Sequence, residues 1–303
     1  MYRTYFDAYL ISRKADGASP KTIDWHTSSL KSFTRWLEGT GKVDTYADPE
    51  SWTPQLFREF IIYLQGSGLS AFTVRTKVNS LLAFARWLHL EGYTATNVGA
   101  RVKRPKVPQS IKPPFTDAEL KALLDAAKTS LRDTALLMLL VDCGLRASEV
   151  AHIQLVHVYA KQGLLHVKEG KGSKDRLVPM SPKCIRALTR YTIRERHKGL
   201  HADSPFLFLS KTDSQFTASG LLQLVRKLGK KAGVGDVHPH RFRHTFAISY
   251  LRNGGDVFTL HRVMGHSDLA TTRVYLHLQT EDLLRGHLVA SPLDHLMKKG
   301  ADK

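Results

Sequence analysis

Apolar positions in the first hundred residues recur at helical spacing and are punctuated by turn residues. Helices begin near Tyr2. Ser19-Pro20 opens one run with an N-cap hydroxyl and a proline at the first helical position. Ile23, Leu30, Phe33 and Leu37 then repeat until Gly39 and Gly41 stop the pattern. A second amphipathic run covers roughly Pro54 to Leu64 and ends at Gly66. A third begins at Ser70, carries Val74, Val78, Leu81, Leu82, Ala85 and Leu88, and ends at Gly92. The string Phe-x-Arg-Trp-Leu occurs at Phe33 to Leu37 and again at Phe84 to Leu88, which suggests two related helical hairpins.

The pattern breaks at Arg101. The stretch from Arg101 to Pro114 has five basic residues, four prolines and no acid, so it reads as a linker that cannot be helical. Arg101, Lys103, Arg104 and Lys106 suit either an extended strap along a phosphate backbone or a merely solvated connection. Beyond it, Thr116-Asp117-Ala118-Glu119 is a capping box, followed by the buried-face residues Leu120, Leu123 and Leu124. A very apolar helix is predicted from about Leu131 to Cys143, closed by Gly144. The period then changes from helix to strand: Leu165 to Lys168 and Arg176 to Val178 flank a polar turn and predict a hairpin. Helices return around Pro182 to Glu195, Thr217 to Lys231, and from His240 almost to the end. The expected architecture is mainly α with a small antiparallel sheet. It comprises a helical domain over 1–100, a linker over 101–114, and an α+β domain over 115–303 that includes a C-terminal tail.

Composition narrows the function classes. Lys and Arg number 45 against 27 Asp and Glu, a net charge of +18, which favours a polyanionic partner. The two cysteines, Cys143 and Cys184, exclude a disulfide scaffold and a four-cysteine zinc module, and are expected to be reduced. The longest apolar run, Ala135 to Val141, is seven residues, too short for a membrane span. The first residues are charged at once and carry no secretory segment. A soluble, intracellular protein with no membrane partner is expected.

Three C-terminal stretches concentrate reactive side chains. In Cys143-Gly144-Leu145-Arg146-Ala147-Ser148-Glu149, Arg146 follows a glycine break at a helix start, near backbone amides that suit an anion, and Glu149 at i+3 is placed to hold it. An ordinary surface ion pair has the same appearance. In His238-Pro239-His240-Arg241-Phe242-Arg243-His244, His240 and Arg243 share a helical face, while Phe242, Phe246 and Tyr250 mark the buried one. An arginine beside an imidazole suits phosphoryl chemistry, one binding oxygens and the other moving a proton. Metal binding by His238, His240 and His244 is the rival, but no further ligand set is evident. The third stretch runs from Met264-Gly265-His266-Ser267-Asp268 to Thr271-Thr272-Arg273-Val274-Tyr275. Tyr275 is either a core residue with a satisfied hydroxyl or a nucleophile. The lysines of the hairpin turn, Lys171 and Lys174, read alone as solvated.

Taken in order, these stretches resemble the tyrosine recombinase (phage integrase) family. Its pattern is an arginine in a Gly-Leu-Arg-x-Ser-Glu string, a lysine in a β-hairpin turn, His-x-x-Arg, a Leu-Gly-His-Ser-like string and a nucleophilic tyrosine. Arg146 matches the first arginine and Lys171 the hairpin lysine, with Lys174 as the alternative in the same turn. His240 and Arg243 match His-x-x-Arg, His266 the later histidine, and Tyr275 the nucleophile nine residues after it. The resemblance spans about Phe115 to Leu288. Cys143 stands for a usual Thr, Met264 for a usual Leu and Phe242 for a usual Leu, changes that touch packing.

The resemblance implies a helical SAM-like core-binding domain and an α+β tyrosine-recombinase catalytic domain, Xer-like, with no arm-binding domain. The implied reaction is site-specific cutting and rejoining of DNA through a 3′-phosphotyrosyl intermediate, for dimer resolution or for integration and excision of a mobile element. It implies no cofactor, no metal and no ATP, and the sequence contains no G-x-x-x-x-G-K-[ST]. Arg146 and Arg243 would bind the phosphate, with His266 on a non-bridging oxygen. His240 would assist proton transfer, and the lysine would protonate the departing 5′ oxygen. Implied partners are a double-stranded recombination site, further copies as a dimer and synaptic tetramer, and a second recombinase or accessory protein. Cytoplasmic, nucleoid-associated action follows. Leu283, Leu284 and Leu288 in the tail suit docking in cis or on a neighbouring protomer. The alternatives are a type IB-like topoisomerase and a catalytically vestigial DNA-binding regulator. The short span between His-x-x-Arg and the later histidine speaks against an integron integrase.

Overall fold

Capping hydroxyls start three of the four α-helices described in the N-terminal unit: Ser19 for α2 (Pro20–Gly39), Thr53 for α3 (Pro54–Gly66) and Ser70 for α4 (Ala71–Leu90). Each side-chain oxygen accepts the amide three residues on, which stabilises a helix start by about 1 kcal/mol. With α1 (Tyr2–Ala15), these helices enclose one aromatic core. The computed structural model describes residues 2–108, 113–168, 175–196, 203–210 and 214–265. The chain divides into two units, Met1–Ile111 and Lys112–Lys303. Among the described residues, no helix is long and apolar enough to cross a membrane.

The repeated string has a direct packing meaning. Phe33, Trp36 and Leu37 on α2 and Phe84, Trp87 and Leu88 on α4 are all buried in the same core. Phe33 meets Phe60 edge-on at 5.1 Å, and Phe6 meets Phe84 at 4.8 Å. The basic stretch begins attached to this unit. A 3-10 turn over Val98–Arg101 leads to Val102, which is buried in the helical core. Arg58 donates to the Arg101 carbonyl, and Arg104 donates to Asn79 on α4 at 3.1 Å. A single apolar residue has no period, so this anchorage escapes a pattern reading.

In the C-terminal unit the expected capping box is present: Thr116 and Glu119 exchange hydrogen bonds at the start of α5 (Asp117–Ala127). The apolar helix α6 (Leu131–Cys143) runs through the core, with Leu136, Leu137, Leu139 and Leu140 buried. After α7 (Ala147–His152) comes a three-stranded antiparallel sheet in the order β1 (Val158–Tyr159), β2 (Leu164–Val167), β3 (Arg176–Pro179). The β2–β3 hairpin is the predicted one; the two-residue β1 carries too little pattern to announce itself. Leu165 pairs with Val178 and Val167 with Arg176, so these four share the core-facing side.

Four further α-helices are described: α8 (Pro182–Arg194), α9 (Ala218–Ala232), α10 (Pro239–Arg252) and α11 (Val257–Met264). Helices are expected from His240 onward, one of them ending at Gly265, and the stretch up to Gly265 holds two. Asn253-Gly254-Gly255 ends α10, with Gly254 at φ +85°, and Asp256 restarts the chain by accepting the amides of Phe258 and Thr259. The apolar pattern stops at Leu251 and resumes at Val257, and the glycine pair and the Asp cap mark the break between them.

Candidate active site

Gly144 sets the geometry of the first stretch. It closes α6 in the left-handed region at φ +58°, where glycine is favoured. A Cβ there would lie 2.3 Å from Phe246 Cδ1 on α10. The glycine therefore lets α6 end in contact with α10 and turns the chain so that Arg146 becomes the N-cap of α7. Arg146 is held by protein acceptors at its backbone amide and at its guanidinium. Its backbone N–H donates to Glu149 Oε2 at 2.8 Å, Nη1 to Glu149 Oε1 at 2.7 Å, and Nη2 to the Gly265 carbonyl at 2.9 Å. Its side chain remains 37% exposed.

Glu149 is buried, its side chain only 6% exposed, and it also accepts from Arg176 Nη2 at 2.9 Å. Burial pushes its carboxyl pKa up. The hydrogen bond and charge of Arg176, then the contacts with Arg146, outweigh this and hold it below the ordinary carboxylate range. Removing one partner from a buried pair such as Glu149 and Arg176 costs about 3–5 kcal/mol, because a charge is left uncompensated.

His238 caps α10 by accepting the Arg241 amide, with Pro239 in the first turn. One turn in, Arg243 is only 3% exposed. It donates to the Gly144 carbonyl at 2.8 Å and to the Met264 carbonyl at 2.6 Å. Helix α10 is thus buried more widely than the expected stripe of Phe242, Phe246 and Tyr250, and Arg243 lies inside with Phe242. His240 stands three residues before it and is open to solvent at the surface. The protein packed around its inner side, then the charges of Arg243 and Arg146, hold its pKa below the ordinary imidazole value.

Helix α11 completes the group. It ends at Gly265, again left-handed at φ +61°, and its last carbonyls point at the arginines. Val263 accepts from Arg176 Nε at 2.7 Å, Met264 from Arg243, and Gly265 from Arg146. Carbonyls at a helix C-terminus lack intrahelical donors and carry the negative end of the helix dipole, so they suit guanidinium partners.

The structure therefore brings Arg146, His240 and Arg243 together, with Glu149 behind them. Lys171, the alternative Lys174, His266 and Tyr275 lie outside the described residues, as does the tail with Leu283, Leu284 and Leu288. Arg101, Lys103, Arg104 and Lys106 are exposed on the N-terminal unit. Asp142, Cys143 and Cys184 group closely enough to suggest metal ligands. Asp142, however, accepts the Ser181 amide at 2.7 Å. The Cys184 thiol and burial push the Cys143 thiol well up, which disfavours the thiolate a metal needs. Arg176 is the residue that motif reading passes over. Its signal lies in strand alternation, which puts it on the same face as the inward Val178.

Comparisons with known proteins show the family of the chain. The model of the phage integrase family matches residues 114–282. The tyrosine recombinase XerA of Thermococcus kodakarensis is 30% identical, over 96% of this chain and 96% of that protein. XerD of Bifidobacterium longum is 29% identical, over 91% of this chain and 92% of its own. Among solved structures, a λ integrase fragment bound to a core site has a TM-score of 0.73 at 17% identity, covering 90% of this chain and 94% of that one. At that identity the likeness concerns the fold. The chain belongs to the phage integrase family and is a Xer-like tyrosine recombinase.

Proposed function

We infer that this protein is a site-specific DNA recombinase in which Arg146 and Arg243 bind the scissile phosphate, His240 assists proton transfer and Tyr275 is the nucleophile. The observation that carries the reading is the pair of guanidiniums, each fixed by protein acceptors, beside an imidazole kept toward its neutral form. In-line attack on a phosphodiester builds charge on the non-bridging oxygens, and two preorganised guanidiniums stabilise it. The Tyr275 hydroxyl, with an unperturbed pKa of about 10, must give up its proton as it attacks. His240, kept neutral at physiological pH, is suited to take part in that transfer. Lys171 or Lys174 protonates the departing 5′ oxygen, and His266 binds a non-bridging oxygen. The phosphodiester energy is retained in the 3′-phosphotyrosyl bond, so rejoining requires no ATP.

The helical unit is the core-binding domain, the exposed cations from Arg101 to Lys106 follow the backbone, and the active form is a synaptic tetramer on two sites in the cytoplasm. Several relatives of similar fold were solved on DNA, among them XerH bound to its difH substrate, which supports the reading. The test is covalent capture: the protein is incubated with nicked DNA, denatured, and the attached DNA sequenced. Attachment at one repeated sequence is expected. Tyr275→Phe should abolish attachment and leave DNA binding intact, and attachment that survives the substitution refutes the nucleophile. Attachment scattered without sequence preference would favour a topoisomerase.

A further inference from the structure

Arg176 occupies a strand position that ordinarily takes valine or leucine. It pairs with Val167 across the hairpin and shares the core-facing side with Leu165 and Val178. Its side chain is only 8% exposed, whereas Leu177 beside it faces outward at 53%. Burying a guanidinium there is costly unless it is paired. Two of its partners belong to the candidate active site: the Glu149 carboxylate and the Val263 carbonyl.

We propose that Arg176 is a positioning residue for strand cleavage, holding Glu149 and the end of α11 in place and through them the Arg146 guanidinium. The proposal rests on the reading of Arg146 and Arg243 as the phosphate-binding pair. Glu149 divides its oxygens: Oε1 takes Arg146 Nη1, while Oε2 takes the Arg146 amide and Arg176 Nη2. A carboxylate held from two sides cannot rotate away with Arg146. At α11, the carbonyls of residues 263, 264 and 265 go to Arg176, Arg243 and Arg146 in turn, so the Arg176 contact is the first rung of the ladder on which the other two stand. Lysine cannot reproduce it, because one ammonium does not span two acceptors as a planar fork does.

The test uses the full chain and the nicked DNA identified by covalent capture. Single-turnover cleavage at saturating protein and half-saturating DNA binding are measured for wild type, Arg176→Lys, Arg176→Met and Glu149→Gln. Misplacing the reacting groups predicts a loss of about 100-fold in the cleavage rate of Arg176→Met, a smaller loss for Arg176→Lys, and binding within about threefold of wild type. Removing Arg176 also takes away a group that keeps Glu149 ionised, so the acid limb of the rate profile should move to higher pH. Among the described residues, Arg176 and Arg146 are the charged groups acting on Glu149, and His240 is retained in every variant. In a Glu149→Gln background the limb shift should vanish and Arg176→Met should cost much less.

Wild-type rates in Arg176→Met, or an equal loss with and without Glu149, would overturn the proposal. Should Arg176→Met fail to fold, a folded Arg176→Lys that cleaves at the wild-type rate overturns it equally. A wild-type protein that forms no covalent complex would refute the functional reading instead.

Discussion

His240 and Glu149 show how single side chains are tuned by what surrounds them. Protein packing, then Arg243 and Arg146, hold the His240 pKa below its ordinary value of about 6.5. The unfolded chain therefore binds this proton more readily than the folded one. As pH falls through the ordinary histidine range, stability is lost, and the loss stops growing below the folded pKa. A proton NMR titration of the free protein should show His240 titrating below an unperturbed histidine. Arg146→Gln should move it upward while leaving it depressed, because the protein packed around the ring's inner side is the larger cause and Arg243 remains. An unshifted midpoint in wild type would contradict this placement. Arg146, His240 and Arg243 are legible in the sequence because each sits in a local string. Arg176 is not, because its partners are 27 and 87 positions away and only folding joins them.

At the scale of elements, the ends matter more than the middles. Helix α6 is apolar nearly throughout, and its end at Gly144 can be read from the sequence. What that end does cannot: its carbonyl accepts from Arg243, and its missing Cβ admits Phe246. Gly144→Ala introduces both a left-handed strain of roughly 1–2 kcal/mol and a steric conflict. Chemical denaturation should show a loss at least that large, and DNA cleavage should fall further than stability alone explains. Adding Phe246→Ala should relieve the conflict but not the backbone strain. The break between α10 and α11 falls in Arg252-Asn253-Gly254-Gly255-Asp256, five residues without an apolar side chain, where the glycines and the Asp256 cap record the stop.

For the whole molecule, a surplus of 18 positive charges is the strongest global signal, and its consequence is thermodynamic. If six or more phosphates are contacted, affinity for DNA should drop by about 10³ or more between 50 and 200 mM salt. Replacing Arg101, Lys103, Arg104 and Lys106 with glutamine should reduce the slope of log affinity against log salt by up to roughly 3 to 4. An unchanged slope would remove these side chains from the interface. The division into helical and α+β units is foreshadowed by the change from period 3.6 to period 2 and by the prolines between them. The attachment of Val102 to the first core is not, since it depends on one residue meeting a surface formed elsewhere.

The ladder of carbonyls at the end of α11 has a consequence for how the enzyme comes into being. Three arginines from β3, α7 and α10 find acceptors in residues 263 to 265. A nascent chain leaves the ribosome from its N-terminus, so those donors emerge before the acceptors do. Until residues 263 to 265 have joined, each guanidinium has its partner in Glu149 or Gly144 but lacks the second acceptor that fixes its direction. On the proposed reading of Arg146 and Arg243, the phosphate grip thus matures late in synthesis, and a growing chain passes most of its birth without it.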